Sequence, residues 1–536
     1  MGNQLQTLDY LVFLVYFVIV SGYGYWIYRR KKSAESSATD FFLAEGSLTW
    51  WAIGASLIAS NISAEQFIGM SGSGFAMGLA IASYEWMAAA TLLVVAVFFM
   101  PGYIANKIYT MPQFLERRFS PLVATMMAVF WLLVYVFVNL TSILYLGAIA
   151  VSTISGFSFT ACAVFLAVFA IIITLGGMKV IGYTDVIQVA ILVLGGLATT
   201  YLALDLVAQQ FGGSGMWAGL GQLQKQAPDH FHMIFDESNP YYKDLPGMTV
   251  LIGAMWIANL NYWGCNQYIT QRALGAKLET ARSGLLFAAL LKMLMPIIVV
   301  LPGIAAFVLH QQGMFQTELV NAAGEVKPDK AYPVLLNLLG PGLKGLSFAA
   351  LTAAIVASLA GKANSIATIF TLDLYKKYMN RDASEDTQVR IGRWAIIASM
   401  IIAVLVAPQL QRLEQGFQFI QEFTGLISPG VVAIFLLGFF WKRATAPAAL
   451  VAALATIPMG FGMKWLLPDV PFLDRMGWVF LVLVAAMVMI SLLDPASKDN
   501  PKAMRVDAAA FRTSPVFAIG ALLITGLLAA LYIVFW

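Results

Sequence analysis

Charge is what this sequence has least of. Asp, Glu, Lys and Arg together make up 11% of its 536 residues, about half the share of a soluble domain. So sparse a supply cannot coat the surface of a water-soluble chain this long. Histidine is scarcer still. His230, His232 and His310 are the three present, all in or beside polar connections, which leaves no buried histidine relay and no His-rich metal site. The two cysteines, Cys162 and Cys265, lie in apolar runs without CxxC spacing, so a disulfide framework and a thiolate metal centre are excluded. The formal charge of +4 forms no basic face. Lys and Arg fall almost entirely between apolar runs, and nucleic acid is not expected as a partner.

Apolar residues are what is there, at 60% of the chain. They come in runs of about 20, the length that crosses about 30 Å of hydrocarbon. The short alternating segments of an outer-membrane barrel are missing. The sequence therefore predicts an all-α polytopic membrane protein. Runs and breakers place about fourteen transmembrane helices near 8–28, 49–73, 78–106, 119–152, 157–177, 182–208, 248–272, 283–312, 345–375, 393–409, 416–441, 444–466, 474–493 and 516–536. The first run ends in "RRKK" without an A-x-A cleavage site, and is expected to stay as a helix. With the N-terminus outside, 22 of the 32 Lys and Arg fall in cytoplasmic connections, eight in outer ones, and Lys292 and Lys362 within spans. Positive charge collects on the cytoplasmic side, so a plasma-membrane protein with both termini outside the cytoplasm is expected. The long outer connections, 209–247 and 313–341, read as gate covers or plain connectors; length alone favours connectors.

Two spans are interrupted. The second contains "ASNISAEQ" (59–66) and the seventh "ANLNYWGCNQ" (258–267). Unwound backbone is tolerated in a membrane only where it faces protein or a water-filled cavity. Five spans separate the two starts, and an odd-numbered repeat reverses direction, so spans 2–6 and 7–11 form a candidate inverted pair. Such paired interruptions point to the central site of a transporter. Plain helix-to-helix glue by Ser, Asn and Gln is the competing reading. Ionisable Glu65, Glu85, Lys292 and Lys362 lie inside spans. Each costs about 2.5–3.5 kcal/mol at a helix centre on insertion scales, so each should pair or line a pathway. Asp185 in "YTDVIQ" reads equally as an interfacial cap, and Glu422 equally as a packing partner. A channel would need a carbonyl filter or charged ring; "GYGYW" (22–26) sits in a peripheral helix. An enzyme is not expected, because "GMSGSG" is no nucleophile elbow and HExxH is missing.

"IASNISAEQFIGMSGSG", "IASYEWMAA", "TDVIQ", "ANLNYWGCNQYITQR", "NSIATIFTLDLY" and "FQFIQEFTGLISPG" resemble the sodium/solute symporter family over essentially the whole chain. The resemblance is nearest to its sodium/glucose cotransporters and bacterial sodium/galactose symporters. It implies a LeuT-type core of two inverted five-helix repeats, over 46–210 and 248–441. A leading helix and cytoplasmic linker (1–45), an extracellular loop (211–247) and three trailing helices (442–536) complete the chain. By motif it implies a sugar site of Asn61, Gln66, Glu85, Asn259, Lys292 and Gln421, whose donors and acceptors suit sugar hydroxyls. Tyr262 would stack on the sugar and close the inner side, with Met70, Tyr84 and Phe417 as the outer lid. Sodium would be held by the carbonyls of Ala59, Ile62 and Ala354 with the Ser358 side chain.

Four positions depart from the family pattern. Ala88 stands for a serine, Asn261 for an aromatic residue, Ala357 for a second serine, and Lys362 for an apolar residue one turn beyond Ser358. The resemblance implies sodium-coupled symport of a small neutral hexose by alternating access, in a monomer or weak oligomer. Ala357 and Lys362 leave two readings of the coupling open. Either water or backbone replaces the lost oxygen while Lys362 pairs with Asp185 or snorkels, or Lys362 repels or mimics the ion, giving proton-coupled or uncoupled transport of a sugar, polyol or sialic acid. A sugar sensor that does not transport is the alternative outside the transporter class.

Overall fold

The computed structural model describes residues 5–31, 49–108, 111–176, 179–274, 276–321, 324–413, 415–504 and 507–536. Among these the chain is helical, and extended backbone pairs only as an isolated bridge between Val320 and Val326. Helices occupy all fourteen stretches read as spans. By length and composition, nine helices among the described residues can cross a membrane, or up to ten when one bent pair counts as a single span. The shorter apolar helices Thr7–Ile19 and Phe159–Thr174 sit at the first and fifth predicted spans.

The lower number has a physical origin. The interrupted segments are too short, piece by piece, to qualify, and Glu65–Ala105 runs on for 41 residues. At 1.5 Å per residue that stretch would reach about 60 Å, twice the hydrocarbon thickness. It turns back at Gly78, whose φ of +74° suits glycine alone. A Cβ there would lie 2.4 Å from the His230 carbonyl oxygen. Two spans result, meeting at a tight turn where residues 73–78 predicted one.

Burial separates centre from rim. Leu343–Met379 has 83% of its apolar window inside the protein, Pro515–Val534 only 17%. Leu278–Gln311 packs against Trp50–Asn61, Ser71–Met77 and Ser83–Val94, joining the eighth predicted span to the second and third.

Two arginines counted above only as charges prove to be staples. Arg118 is buried and donates from Nε to the Gly438 carbonyl (2.7 Å), from Nη1 to Ala444 (2.9 Å) and from Nη2 to Trp441 (3.1 Å). A guanidinium there satisfies carbonyls that end the helix Ser428–Phe440. Arg282 does the same for the carbonyls of Ala96, Ala510 and Arg512. Arg118→Ala should cost about 3 kcal/mol, since each buried acceptor left unmet costs about 1–3. A detergent melting midpoint equal to wild type would contradict this.

The outer connections are more than tethers. The Met233 amide donates to the Phe535 carbonyl (2.7 Å), tying one loop to the last helix. The other buries Asp329 and packs Tyr332 edge-on against Phe67, ring centroids 5.1 Å apart. The connector expectation for 313–341 is thus corrected: its side chains reach into the bundle.

Candidate functional site

The second span stops at Asn61. Ile62 is extended (φ −68°, ψ 108°), and winding resumes at Glu65 as a wide π turn to Met70. The Ser63 amide, which a continuous helix would give to the Ala59 carbonyl, turns to Gln66 Oε1 (3.2 Å). The Gln66 amide bonds Ser63, not Ile62 (3.2 Å). The Ala59 and Ile62 carbonyls are thereby released from helical pairing. The sequence-read interruption at 59–66 is present.

The seventh span breaks at the lower end of the expected 258–267 and again above it. Residues 254–264 form one helix, Ala254–Gly264, so 258–264 is continuous. The breaks lie at Gly253 (φ −115°, ψ −130°) and at Cys265–Asn266, beyond which Gln267–Leu274 begins. Gly253 frees the upper end and the polar Cys265–Asn266 pair the lower. A third interruption lies between Gly416–Gly425 and Ser428–Phe440, bent by 48°, where an unbroken span 416–441 was expected. Gly425 and Pro429 in "TGLISPG" are its sequence signal.

These breaks surround a partly open chamber between the second, third and seventh spans. Asn61, Gln66, Glu85, Asn259, Tyr262, Lys292 and Gln421 all line it, as do Tyr84 and Phe417. Met70 does not. It is fully buried in apolar packing, because the π turn presents Gly69, not Met70, to Phe417; a Cβ on Gly69 would lie 3.2 Å from Phe417 Cβ. The Tyr84 and Phe417 rings meet edge-on at 5.1 Å, closing the chamber at that end.

Charge in the wall is balanced locally. Lys292 Nζ lies 2.5 Å from Glu85 Oε2 and also donates to Asn61 Oδ1. Asn61 Nδ2 donates to the Tyr262 hydroxyl (3.1 Å), which links the second span to the seventh. Lys292 Nζ stands 5.1 Å from the Trp263 ring centroid, an attractive geometry for a cation over indole. Buried ion pairs hold when geometry and further hydrogen bonds offset desolvation, and this pair has both. Tyr84 OH, Thr424 Oγ1 and Glu65 Oε1 line the same space without a protein partner. Unspent polar capacity in a buried wall calls for a polar guest.

Ala88 lines the chamber, so the serine-to-alanine departure removes a hydroxyl from the wall itself. Asn261 does not line it; its Nδ2 donates to Ser428 Oγ (2.9 Å), bracing the seventh span against the third interruption. Glu65, Trp263, Thr424 and Ser428 are lining residues that the motif set omitted. Glu65 alone had a signal, as a carboxylate within a span.

Ala59, Ile62, Ala354 and Ser358 are all buried. One link joins the second-span break to the helix Leu343–Thr368: Glu65 and Lys362 lie within electrostatic reach of each other. Lys362 Nζ also stands 4.7 Å from the centroid of Tyr135, whose hydroxyl donates to Asn266 Oδ1 (2.8 Å) at the lower break. The Asp185 side chain lies outside the described residues. Glu422 is a packing partner, held by Arg475 and Lys464 at 3.1 Å each.

Interrupted helices around a charge-balanced polar chamber define a secondary membrane transporter, not an enzyme. Comparison with known proteins narrows the class. The sodium:solute symporter family matches residues 41–456, and the chain belongs to that family. It is 48% identical to a sodium/glucose cotransporter of Vibrio parahaemolyticus, over 100% of this chain and 99% of the relative. It is 35% identical to sodium/myo-inositol cotransporter 2 of Oryctolagus cuniculus, over 86% and 70% respectively. A Na+-coupled sialic acid symporter, solved substrate-bound and outward-open, superposes with TM-score 0.76 at 22% identity, covering 91% of this chain and 98% of that one. The fold is the LeuT type.

Proposed function

We propose that the protein is a sodium-driven symporter of a neutral hexose, working by alternating access from the plasma membrane with both termini outside. The observation that carries the reading is the Glu85–Lys292–Asn61 cluster facing the chamber between two interrupted helices. A sugar ring needs clustered donors and acceptors in a dry pocket, and an ion pair offers both without net charge to repel or select ions. Glu85 accepts from hydroxyls, Lys292 donates, and Gln66, Asn259 and Gln421 do both. Tyr262 stacks below the sugar as the inner gate; Tyr84 and Phe417 form the lid above. The names of the sodium/glucose and sodium/myo-inositol relatives support a polyhydroxylated solute. Ala88 bears on which one, by removing one hydroxyl contact.

The released carbonyls of Ala59 and Ile62, with Ala354 and Ser358, would take sodium, a hard cation suited to oxygen ligands. Each sodium entering gains about 2.3 kcal/mol per 100 mV of membrane potential, enough for accumulation of a sugar by about tens-fold. Residues 46–210 and 248–441 would be the two inverted halves. Interruptions in spans 2 and 7 support this, as do π turns at Tyr135–Leu140 and Ile369–Met379, in spans 4 and 9.

A second coupling reading has its own observation. Lys362, buried beside Glu65, places a fixed cation near the ion set, which favours transport driven by protons or not driven at all.

Radiolabelled hexose uptake into proteoliposomes decides. Sodium outside should raise initial uptake several-fold over choline, and Gln66→Ala should remove the increment. Equal uptake in sodium and choline would overturn sodium coupling; wild-type uptake by Gln66→Ala would overturn the site.

A further inference from the structure

The connection 313–341 carries a carboxyl into the bundle beside the chamber lid. Asp329 belongs to a loop yet is only 2% exposed. Its Oδ2 accepts the Gly416 amide at 3.0 Å. Gly416 is the first residue of the helix Gly416–Gly425, and Phe417, next in sequence, meets Tyr84 across the lid. The other oxygen, Oδ1, has no protein partner and rests on the second span, where a Cβ on Gly72 would lie 2.6 Å from it. On Gly416 a Cβ would lie 3.1 Å from Oδ2. Two glycines thus open a slot that one carboxyl fills. Gly72 sits three residues beyond Gly69, which abuts Phe417 Cβ, so the slot bridges the two elements whose contact closes the lid.

We propose that Asp329 is the latch of this lid, a positioning residue that ties the second span to the helix Gly416–Gly425 and must let go of Gly416 before the chamber opens on that side. The inference deepens the alternating-access reading and rests on it. Opening has to part Phe417 from Gly69 and Tyr84, and the Asp329–Gly416 bond spans that same seam. A carboxyl over the first amides of a helix satisfies a donor that otherwise has no partner.

The latch answers to pH. Burial pushes the Asp329 carboxyl up to about 7, against the opposing pull of the Gly416 amide and of Lys327. The groups facing it are few. Tyr145 approaches from Thr141–Ser155. Lys327, on its own loop, donates to the Leu413 carbonyl. Tyr332 follows in Ala331–Leu336. Glu65 lies at the break of the second span and faces Lys362, Lys330 beside Asp329 donates to the Val320 carbonyl, and Glu422 on the Gly416 helix is held by Arg475 and Lys464. Each of these acids has a cation facing it, Lys362 for Glu65 and Arg475 with Lys464 for Glu422. Release into water returns Asp329 toward about 3.9. The closed lid therefore binds the proton more tightly. Its extra stability is complete below about pH 4 and is lost as pH rises through about 7.

The test reads access, not transport, so its failure and that of the sugar reading are separate. Gln421→Cys is placed on the chamber wall in a Cys162→Ala/Cys265→Ala background, in proteoliposomes. A membrane-impermeant thiosulfonate is added from the Asp329 side, and rates are normalised to Ser238→Cys, an exposed loop position, to remove the chemistry of the thiol itself. Between pH 5.5 and 8 the normalised rate should rise at least tenfold with native Asp329. Asp329→Asn, permanently neutral, should be flat at the acid value. Asp329→Ala and Gly72→Ala, which remove or displace the carboxyl, should label faster than wild type at pH 5.5. His230 bonds the Phe75 carbonyl at the end of the same helix, and His230→Gln should leave the profile in place. The latch is overturned if Asp329→Asn keeps the wild-type pH profile, if His230→Gln abolishes it, or if Gly72→Ala and Asp329→Ala both label no faster than wild type at pH 5.5.

Discussion

Lys292→Ala abolishes saturable hexose binding and uptake. The ammonium makes a 2.5 Å ion pair with Glu85 and donates to Asn61, both on the chamber wall. Truncation leaves Glu85 as a buried uncompensated carboxylate, a loss of about 3–5 kcal/mol in buried pairs. For the sugar it removes a charged donor worth about 1.5–3 kcal/mol and unfixes two acceptors. At about 1.4 kcal/mol per tenfold, affinity should fall by about ten- to a hundredfold from the lost donor alone. Misfolding alone would give the same loss, so a paired variant is needed. Lys292→Met with Glu85→Gln removes both charges, should recover a monodisperse, heat-stable protein, and should still bind no sugar. Recovery of binding by the paired variant would show that the pair only holds the bundle together.

The second large effect concerns the ion. Lys362→Met combined with Ala357→Ser should shift the sodium dependence of uptake at least tenfold toward lower sodium. Residues four apart on a helix sit about 5–6 Å apart, and two unit charges at about 6 Å repel by about 3 kcal/mol at an effective dielectric of 20. Glu65 offsets part of that repulsion in the native protein. The double change removes the cation, keeps Glu65, and adds a hydroxyl beside Ser358. If wild-type uptake ignores sodium, the same variant should make it sodium-dependent. An unchanged sodium curve would remove Lys362 from the coupling machinery.

Much of this architecture was legible in the sequence because membranes penalise polar backbone and charge so heavily. The run "SNISAEQ" stands out against its apolar flanks, and the chain unwinds there, at Ile62. Charged and amide side chains stranded in apolar runs, such as Glu85, Lys292 and Gln66, line the chamber. What stayed hidden depends on chain crossings that no local pattern records. Arg118 and Arg282 look like ordinary loop charges until their forks meet carbonyls from distant helices. The seventh span was read as broken across "ANLNYWGCNQ"; its "ANLNYWG" part is helical, the break falls at Cys265–Asn266, and Gly253 adds a second one. Its asparagines are wall and brace instead: Asn259 faces the chamber and Asn261 binds Ser428. Thr424 and Ser428 became visible as lining only through the bend after Gly425. Met70 was misplaced because a π turn shifts which residue faces Phe417. Asp329, one acid among several in a polar loop, gains meaning from two glycines, 257 and 87 positions away in sequence.

Equilibrium binding of a radiolabelled hexose to purified protein, in sodium and in choline, tests the central claim most directly. Binding should be saturable, strengthened by sodium, and absent from Glu85→Gln at every sodium concentration. Full binding by Glu85→Gln, or no hexose binding by the native protein even at high sodium, would contradict the account.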